Sequence, residues 1–70
     1  MFVVAKLISQ SDSFGFAPVQ IESVYNNAKK AAKAAYAAGC EYLPIQVSNG
    51  RKIGEVFDFP LSKEMILDGF

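Results

Sequence analysis

An alanine-rich segment constrains the fold of this chain more than any other feature. Alanine fills seven of the eleven positions from Ala28 to Ala38, and it has the highest helix propensity because it has no side-chain entropy to lose. Ser23 is a suitable N-cap, since its hydroxyl accepts from a backbone N–H of the first turn. Gly39 suits the position just after the last turn. The segment from Ser23 to Gly39 therefore predicts one helix, on which the rest of the chain packs.

The predicted helix has a face of small side chains and a cationic face. At 100° per residue the stripe expected to be buried contains Val24, Ala28, Ala31, Ala35 and Ala38. One flank contains Tyr25, Ala32 and Tyr36, where the two tyrosines can bury their rings and keep their hydroxyls in water. The opposite face contains Asn26, Lys29, Lys30 and Lys33. A stripe of small residues lets the helix approach a sheet closely, so we expect large sheet residues to fill the interface.

Two strands are predicted before the helix. Phe2 to Ser9 is apolar on both faces, which is typical of a central strand. Phe14 to Ile21 contains Gly15 and Pro18, which favour an irregular or edge strand.

Two more strands are predicted after the helix, in Glu41 to Ser48 and in Arg51 to about Phe59. Pro44 cannot donate to a ladder, so the third strand should be open on one side there or bulged. Asn49-Gly50 is the strongest short hairpin signal and would join these two strands.

Two hairpin registers remain open. A two-residue loop pairs Leu43 with Val56 and Tyr42 with Phe57. A three-residue loop with a bulge at Gly50 pairs Ile45 with Ile53, and it is slightly favoured because it stacks two β-branched residues.

The whole pattern predicts a single α+β domain over residues 1–70. It would be a small antiparallel four-stranded sheet, in the order β-β-α-β-β, with one helix packed across a face. Pro60 ends the fourth strand, and a short C-terminal tail follows in which Ser62 can cap a helical turn over residues 62–67.

The sequence lacks the residues that most catalytic and metal sites need. It has no histidine and a single cysteine, Cys40, and no glycine-rich phosphate loop. Ser-based nucleophilic catalysis lacks its usual base. We therefore expect a protein that is not an enzyme and has no metal or cofactor, and we expect Cys40 to be a half-buried apolar residue.

The positive charges are concentrated although the net charge is zero. Lys29, Lys30 and Lys33 share one face of the predicted helix, and Arg51 and Lys52 lie at the predicted hairpin tip. A neutral chain argues against strong nonspecific nucleic-acid binding. The candidate partner-binding residues are Lys29, Lys30, Lys33, Arg51, Lys52 and Tyr36. They would meet an acidic protein surface, or else bind nucleic acid weakly.

The chain is also rich in aromatic residues, with six Phe and three Tyr. One helix covers one face of a small sheet, so Phe2, Val4 and Ile8 on the first strand have no obvious cover, and neither do Phe14 and Phe16. Either the C-terminal tail or another chain would cover them, because large exposed apolar patches are unusual in a monomer. A structural homodimer is therefore a further alternative.

One resemblance to a known group is carried by three short stretches. Ile21-Glu22-Ser23, then Ala28-Lys29-Lys30 with Ala32, then a strand ending in Asn49-Gly50 resemble small phage-encoded inhibitors of the type I anti-CRISPR kind. In such proteins a basic helix face blocks a guide-RNA complex from its DNA target. The resemblance implies that role for Lys29 and Lys30, with Lys33 added by proximity.

We therefore expect a protein-interaction module, in particular a phage-type inhibitor that blocks a host nucleoprotein complex. The first apolar run is too short for a signal peptide or a membrane span, so the expected location is the cytoplasm, which is the host's if a phage encodes the chain.

Overall fold

The computed structural model describes residues 1–10, 14–48 and 50–60. These residues form the strands β1 (Phe2–Leu7), β2 (Phe16–Tyr25), β3 (Tyr42–Gln46) and β4 (Val56–Pro60), and the helix α1 (Ala28–Ala38). The strands form one antiparallel sheet in the order β3-β1-β2-β4. The predicted α+β class and the β-β-α-β-β order are confirmed. The proposed cap at Ser62 and the helical turn after it lie outside the described residues.

Helix α1 begins later than predicted. Its N-cap is Asn27, whose Oδ1 accepts from the backbone N–H of Lys30 at 2.8 Å. The predicted cap, Ser23, lies in β2 opposite Val4. Asparagine caps as well as serine, and the β-branched and aromatic residues at 24 and 25 favour a strand. Pairing of β2 with β1 therefore keeps Ser23 in the strand, and the helix is capped four residues later by Asn27.

The end of the helix agrees with the prediction. The N–H of Gly39 donates to the carbonyl of Ala35 at 3.2 Å. Gly39 has a φ of +127°, which a residue with a Cβ rarely adopts.

Strand β2 lies inside the sheet, between β1 and β4, so an edge position for it is wrong. The irregularity expected of it is present, because Glu22 is an extra residue between the pairs Val4–Ser23 and Ala5–Ile21. Pro18 has no N–H, and the missing group would have faced Ile8, which lies just past the end of β1. No hydrogen bond within β1 is therefore lost, and the carbonyl of Pro18 still accepts from the N–H of Ile8 at 3.0 Å.

Strand β3 is an edge strand, and Pro44 removes one hydrogen-bond donor from its unpaired side. Val47 N–H donates to the Met1 carbonyl at 3.0 Å, and Leu7 N–H donates to the Glu41 carbonyl at 2.8 Å. Hydrogen-bonded pairs alternate along an antiparallel ladder, so the pair Val4–Pro44 is a non-hydrogen-bonded one. The missing N–H of Pro44 therefore faces away from β1, which confirms the predicted open side.

The predicted hairpin between β3 and β4 is wrong, and so are both of its registers. The two strands lie at opposite edges of the sheet. Leu43 and Ile45 pair with Ala5 and Val3 of β1, while Val56 and Phe57 pair with Gln20 and Val19 of β2. In the observed order Ile45 and Phe59, from the two edge strands, are both buried in one apolar cluster with the central strands, and such burial can outweigh a local turn signal. Asn49 itself lies outside the described residues.

Two apolar clusters lie on the two faces of the sheet. Under α1, Val4 packs against Ala31 and Ala35, with Phe2, Tyr25 and Tyr42 around them. The expectation that Phe2 and Val4 have no cover is therefore wrong.

The larger cluster lies on the opposite face. Its buried members are Val3, Ala5, Val19, Ile21, Ile45, Val47 and Phe59. They are buried within the single chain, so this face needs no second chain to exclude water.

Candidate interaction surface on helix α1

The three predicted lysines of the helix are all exposed on one side of it. Lys29, Lys30 and Lys33 face solvent, while Ala31, Ala32 and Ala35 are buried against the sheet. We call these three lysines the lysine face. The alanine side of the helix is the packed side, as the spacing predicts. However, Val24 belongs to β2 and Ala38 is exposed, so neither is part of the buried stripe.

The electrostatics of this helix are unfavourable by themselves. Its sequence contains three lysines and no acidic residue, and Lys29 and Lys30 lie in the first turn, where the helix dipole repels cations. Lys33 is three and four residues from them, so the three charges also repel one another. None of the three forms an ion pair within residues 1–10, 14–48 and 50–60. An anionic group placed beside this face would relieve all of these repulsions.

Tyr36 extends the lysine face along the helix. It follows Lys29 and Lys33 at helical spacing and its side chain is 80% exposed. The expectation that Tyr36 buries its ring at the edge of the helix–sheet contact is therefore wrong, whereas Tyr25 does pack beside Val4.

Arg51 and Lys52 do not join the lysine face. The guanidinium of Arg51 forms an ion pair with Glu55 and lies 4.4 Å above the ring of Phe57. Phe57 packs on the cluster opposite the helix, and in the described chain α1 makes no contact with β4. The six predicted residues therefore divide into two separate groups.

The loop that carries Arg51 is held together by Glu55. Glu55 Oε2 accepts from the backbone N–H of Lys52 at 3.3 Å. The hydrogen bond from Arg51, followed by the one from Lys52, lowers the pKa of the Glu55 carboxyl. Because Glu55 already neutralises Arg51, that loop offers less free positive charge than the lysine face.

A second surface on the helix side of the sheet was predicted only in part: Ile8 and Phe16 are exposed, as expected, but their neighbours on β4 were not foreseen. The side chains of β2 and β4 that point away from the larger cluster share this side with the end of β1. We call this surface the β2–β4 half-face; it contains Lys6, Ile8, Phe16, Pro18, Gln20, Val56, Asp58 and Pro60. The wrong hairpin placed β4 beside β3, so the sequence could not bring Val56 next to Ile8 and Pro18.

Other candidate features are simpler. Cys40 is exposed, so the expectation that it is half-buried is wrong. No three His, Cys, Asp or Glu residues come together to hold a metal ion in the part of the chain that the structure describes. Within that same part, α1 is too short to cross a membrane.

Comparisons with protein-family models, with curated proteins and with solved structures found no match.

Proposed function

We propose that this protein is a non-enzymatic interaction module that binds an acidic surface of a protein partner through the lysine face of α1. One observation carries the proposal: Lys29, Lys30 and Lys33 are exposed side by side on a helix that contains no acidic residue. The lysines keep an alanine-rich helix in contact with water, but the helix dipole and the like charges both oppose placing all three here without an acidic residue. Local rules are broken in this way mostly at functional sites.

A more specific form of the proposal comes from the resemblance to phage inhibitors. The partner would then be a protein subunit of a host nucleoprotein complex, which the bound module would block. The same lysines would be responsible, and Tyr36 would extend their contact.

The test is a charge reversal on the helix. The variant Lys29→Glu/Lys30→Glu/Lys33→Glu should lose binding to the partner captured from the source cell, while its far-UV circular dichroism stays that of the wild type. Lys52→Glu is the control, because Lys52 is exposed but lies in the loop of Arg51. Unchanged capture by the triple variant would reject the proposal.

Direct nucleic-acid binding by the same lysines is the competing function. It predicts that the logarithm of the affinity for duplex DNA falls linearly with the logarithm of salt, with a slope of about −0.9 per neutralised phosphate. A titration at increasing salt distinguishes the two, and no binding to DNA at low salt would remove the competing function.

A further inference from the structure

The two edges of the sheet differ in the backbone groups that they leave free. Along an edge strand, every second residue points its N–H and C=O groups away from the sheet. On β3 these residues are Tyr42, Pro44 and Gln46. The N–H of Tyr42 donates to the carbonyl of Gly39 at 3.2 Å, and Pro44 has no N–H. Of the three, Gln46 alone keeps a free donor among the described residues, so this edge is a poor template for another strand.

The outer edge of β4 is not blocked in this way. Ile21 N–H donates to the Glu55 carbonyl at 3.0 Å, so Glu55 and, by alternation, Phe57 direct their backbone groups to β2. Val56 and Asp58 therefore point their N–H and C=O groups away from β2. No described residue hydrogen-bonds to these outward groups, and Val56 is 55% exposed. Val56 and Asp58 thus offer both donors and acceptors to another strand.

We infer that the outer edge of β4 pairs with β4 of a second copy of this chain, antiparallel and centred on Phe57. In this pairing Val56 faces Asp58 of the second copy, and Asp58 faces Val56 of the second copy. Each of these pairs exchanges two hydrogen bonds, so the outward donors of both strands are used. The two Phe57 side chains meet across the twofold axis, on the side of the larger cluster, as an aromatic pair.

Charge selects this register over the next one. A pairing centred on Asp58 places its carboxylate directly opposite that of the second copy, which is repulsive. A charged residue on an edge strand commonly prevents pairing for this reason. In the pairing centred on Phe57, however, Asp58 faces an uncharged valine, so the edge is self-complementary in that register.

The lysines of α1 do not oppose this dimer. Helix α1 packs mainly on β1 and β3, whereas β4 lies at the opposite edge of the sheet from β3. The two lysine faces are therefore remote from the twofold axis, and each stays open to a partner. The inference accordingly goes beyond the proposed function and does not depend on it.

Residues 61–70 are the competing occupant of this edge, because they follow Pro60 directly. Their sequence does not alternate between apolar and polar residues, since Met65, Ile66 and Leu67 are consecutive. Strict alternation is typical of a strand with one face in water. This segment therefore matches the edge less well than β4 itself does.

Sedimentation equilibrium of the full chain measures the dimer. Wild type should dimerise with a Kd of about 0.1–1 mM, because one short strand edge buries less area than a standard interface. Val56→Pro should weaken dimerisation by about tenfold or more, because it removes one outward donor from each copy. The matched control is Gln46→Pro, which removes the outward donor of β3 and should dimerise as wild type. Far-UV circular dichroism checks that both variants are folded.

A second variant tests the register without removing a hydrogen bond. Val56→Lys places an ammonium group opposite Asp58 of the second copy, in two symmetry-related pairs. Dimerisation should tighten by about threefold at low salt, since opposite charges across a strand pair attract. Unchanged or weaker dimerisation of this variant would contradict the pairing centred on Phe57.

NMR on a mixture of ¹³C-labelled and unlabelled protein identifies the occupant. A cross-peak between the Hα atoms of Phe57 in the two copies is expected, because this is a non-hydrogen-bonded pair. A protein that stays monomeric at about 3 mM overturns the inference, as does a dimer that Val56→Pro leaves intact. Cross-peaks within the monomer between β4 and residues 61–70 overturn it in favour of that segment. The triple lysine variant should dimerise as wild type, so failure of the dimer leaves the proposed function standing.

Discussion

At the scale of single residues, Glu55 organises the loop before β4. Its carboxylate accepts from the guanidinium of Arg51 and from the backbone N–H of Lys52. Arg51 in turn lies over Phe57, so the carboxylate holds the guanidinium above the ring. The loop is thereby fixed at the start of β4, where Ile21 N–H donates to the Glu55 carbonyl at 3.0 Å.

This contact predicts a pH dependence of stability. The pKa of Glu55 is lowered from its ordinary value of 4.5 in the folded protein, so the folded state favours the carboxylate. The stabilisation is present above the unfolded-state pKa and is lost as pH falls through the folded-state pKa. Wild type should therefore exceed Glu55→Gln in unfolding free energy near neutral pH, and the difference should shrink in acid. Urea denaturation at several pH values measures this.

The control for that experiment removes the partner. In an Arg51→Met background, Glu55→Gln should change the pH dependence much less, because the largest cause of the pKa shift is gone. An equal effect in both backgrounds would contradict the role given to Arg51.

At the scale of elements, the helix–sheet contact depends on small side chains. Ala35 packs directly against Val4, and both are buried. This close approach explains how a helix with so little side-chain volume can cover β1 and β3. The large residues Phe2, Tyr25 and Tyr42 fill the space around it.

A larger side chain inside this contact should be costly. Ala35→Leu is expected to lower the unfolding free energy by about 1–3 kcal/mol, because the packed interface has no room for three more carbons. Ala37→Leu is the matched control, since Ala37 is exposed on the same helix, and it should change stability by less than about 0.5 kcal/mol. Thermal or urea denaturation of both variants measures the two changes in unfolding free energy. Equal effects at both positions would contradict the close packing of Ala35 on Val4.

The sequence predicted the types of the elements better than their ends and partners. The alanine run and Gly39 predict the body and the end of α1, but Ser23 and Asn27 are equivalent caps and only pairing with β1 distinguishes them. Pro44 correctly predicts an open side for β3. The Asn49-Gly50 signal fails because turn propensity is local, whereas strand order depends on the total apolar surface buried.

In the candidate site, too, the sequence predicts what depends on one element and fails where strand partners decide the position. The three lysines lie on one helix, so helical periodicity alone brings them together. Arg51 and Val56 are placed by strand order, which local sequence patterns do not determine. The sequence therefore wrongly groups Arg51 with the lysines, and of the half-face it predicts only the exposure of Ile8 and Phe16.

At the scale of the whole molecule, the two edge strands are far apart although they are neighbours in sequence. The segment from Val47 to Glu55 joins β3 at one edge to β4 at the other. Both central strands therefore have partners on each side, and β1 is central as its two apolar faces indicate.

This strand order is testable by NMR. In an antiparallel ladder, the Hα atoms of non-hydrogen-bonded pairs approach most closely. We expect strong Hα–Hα cross-peaks for Lys6–Tyr42 and Pro18–Asp58, which are such pairs in the two outer ladders. A cross-peak between Ile45 and Ile53, or between Tyr42 and Phe57, would contradict the strand order.

The position of β4 has a consequence for synthesis of the protein. β1, β2, α1 and β3 all precede it in the chain, so a three-stranded intermediate can assemble while the outer side of β2 still has no partner. Until β4 and the loop before it arrive, the outer edge of β2 is available to other nascent chains, including Val19, which pairs with Phe57, and Ile21, which bonds to Gly54 and Glu55. Pairing of β4 with β2 thus covers a strand edge that would otherwise favour aggregation, as well as completing the four-stranded sheet.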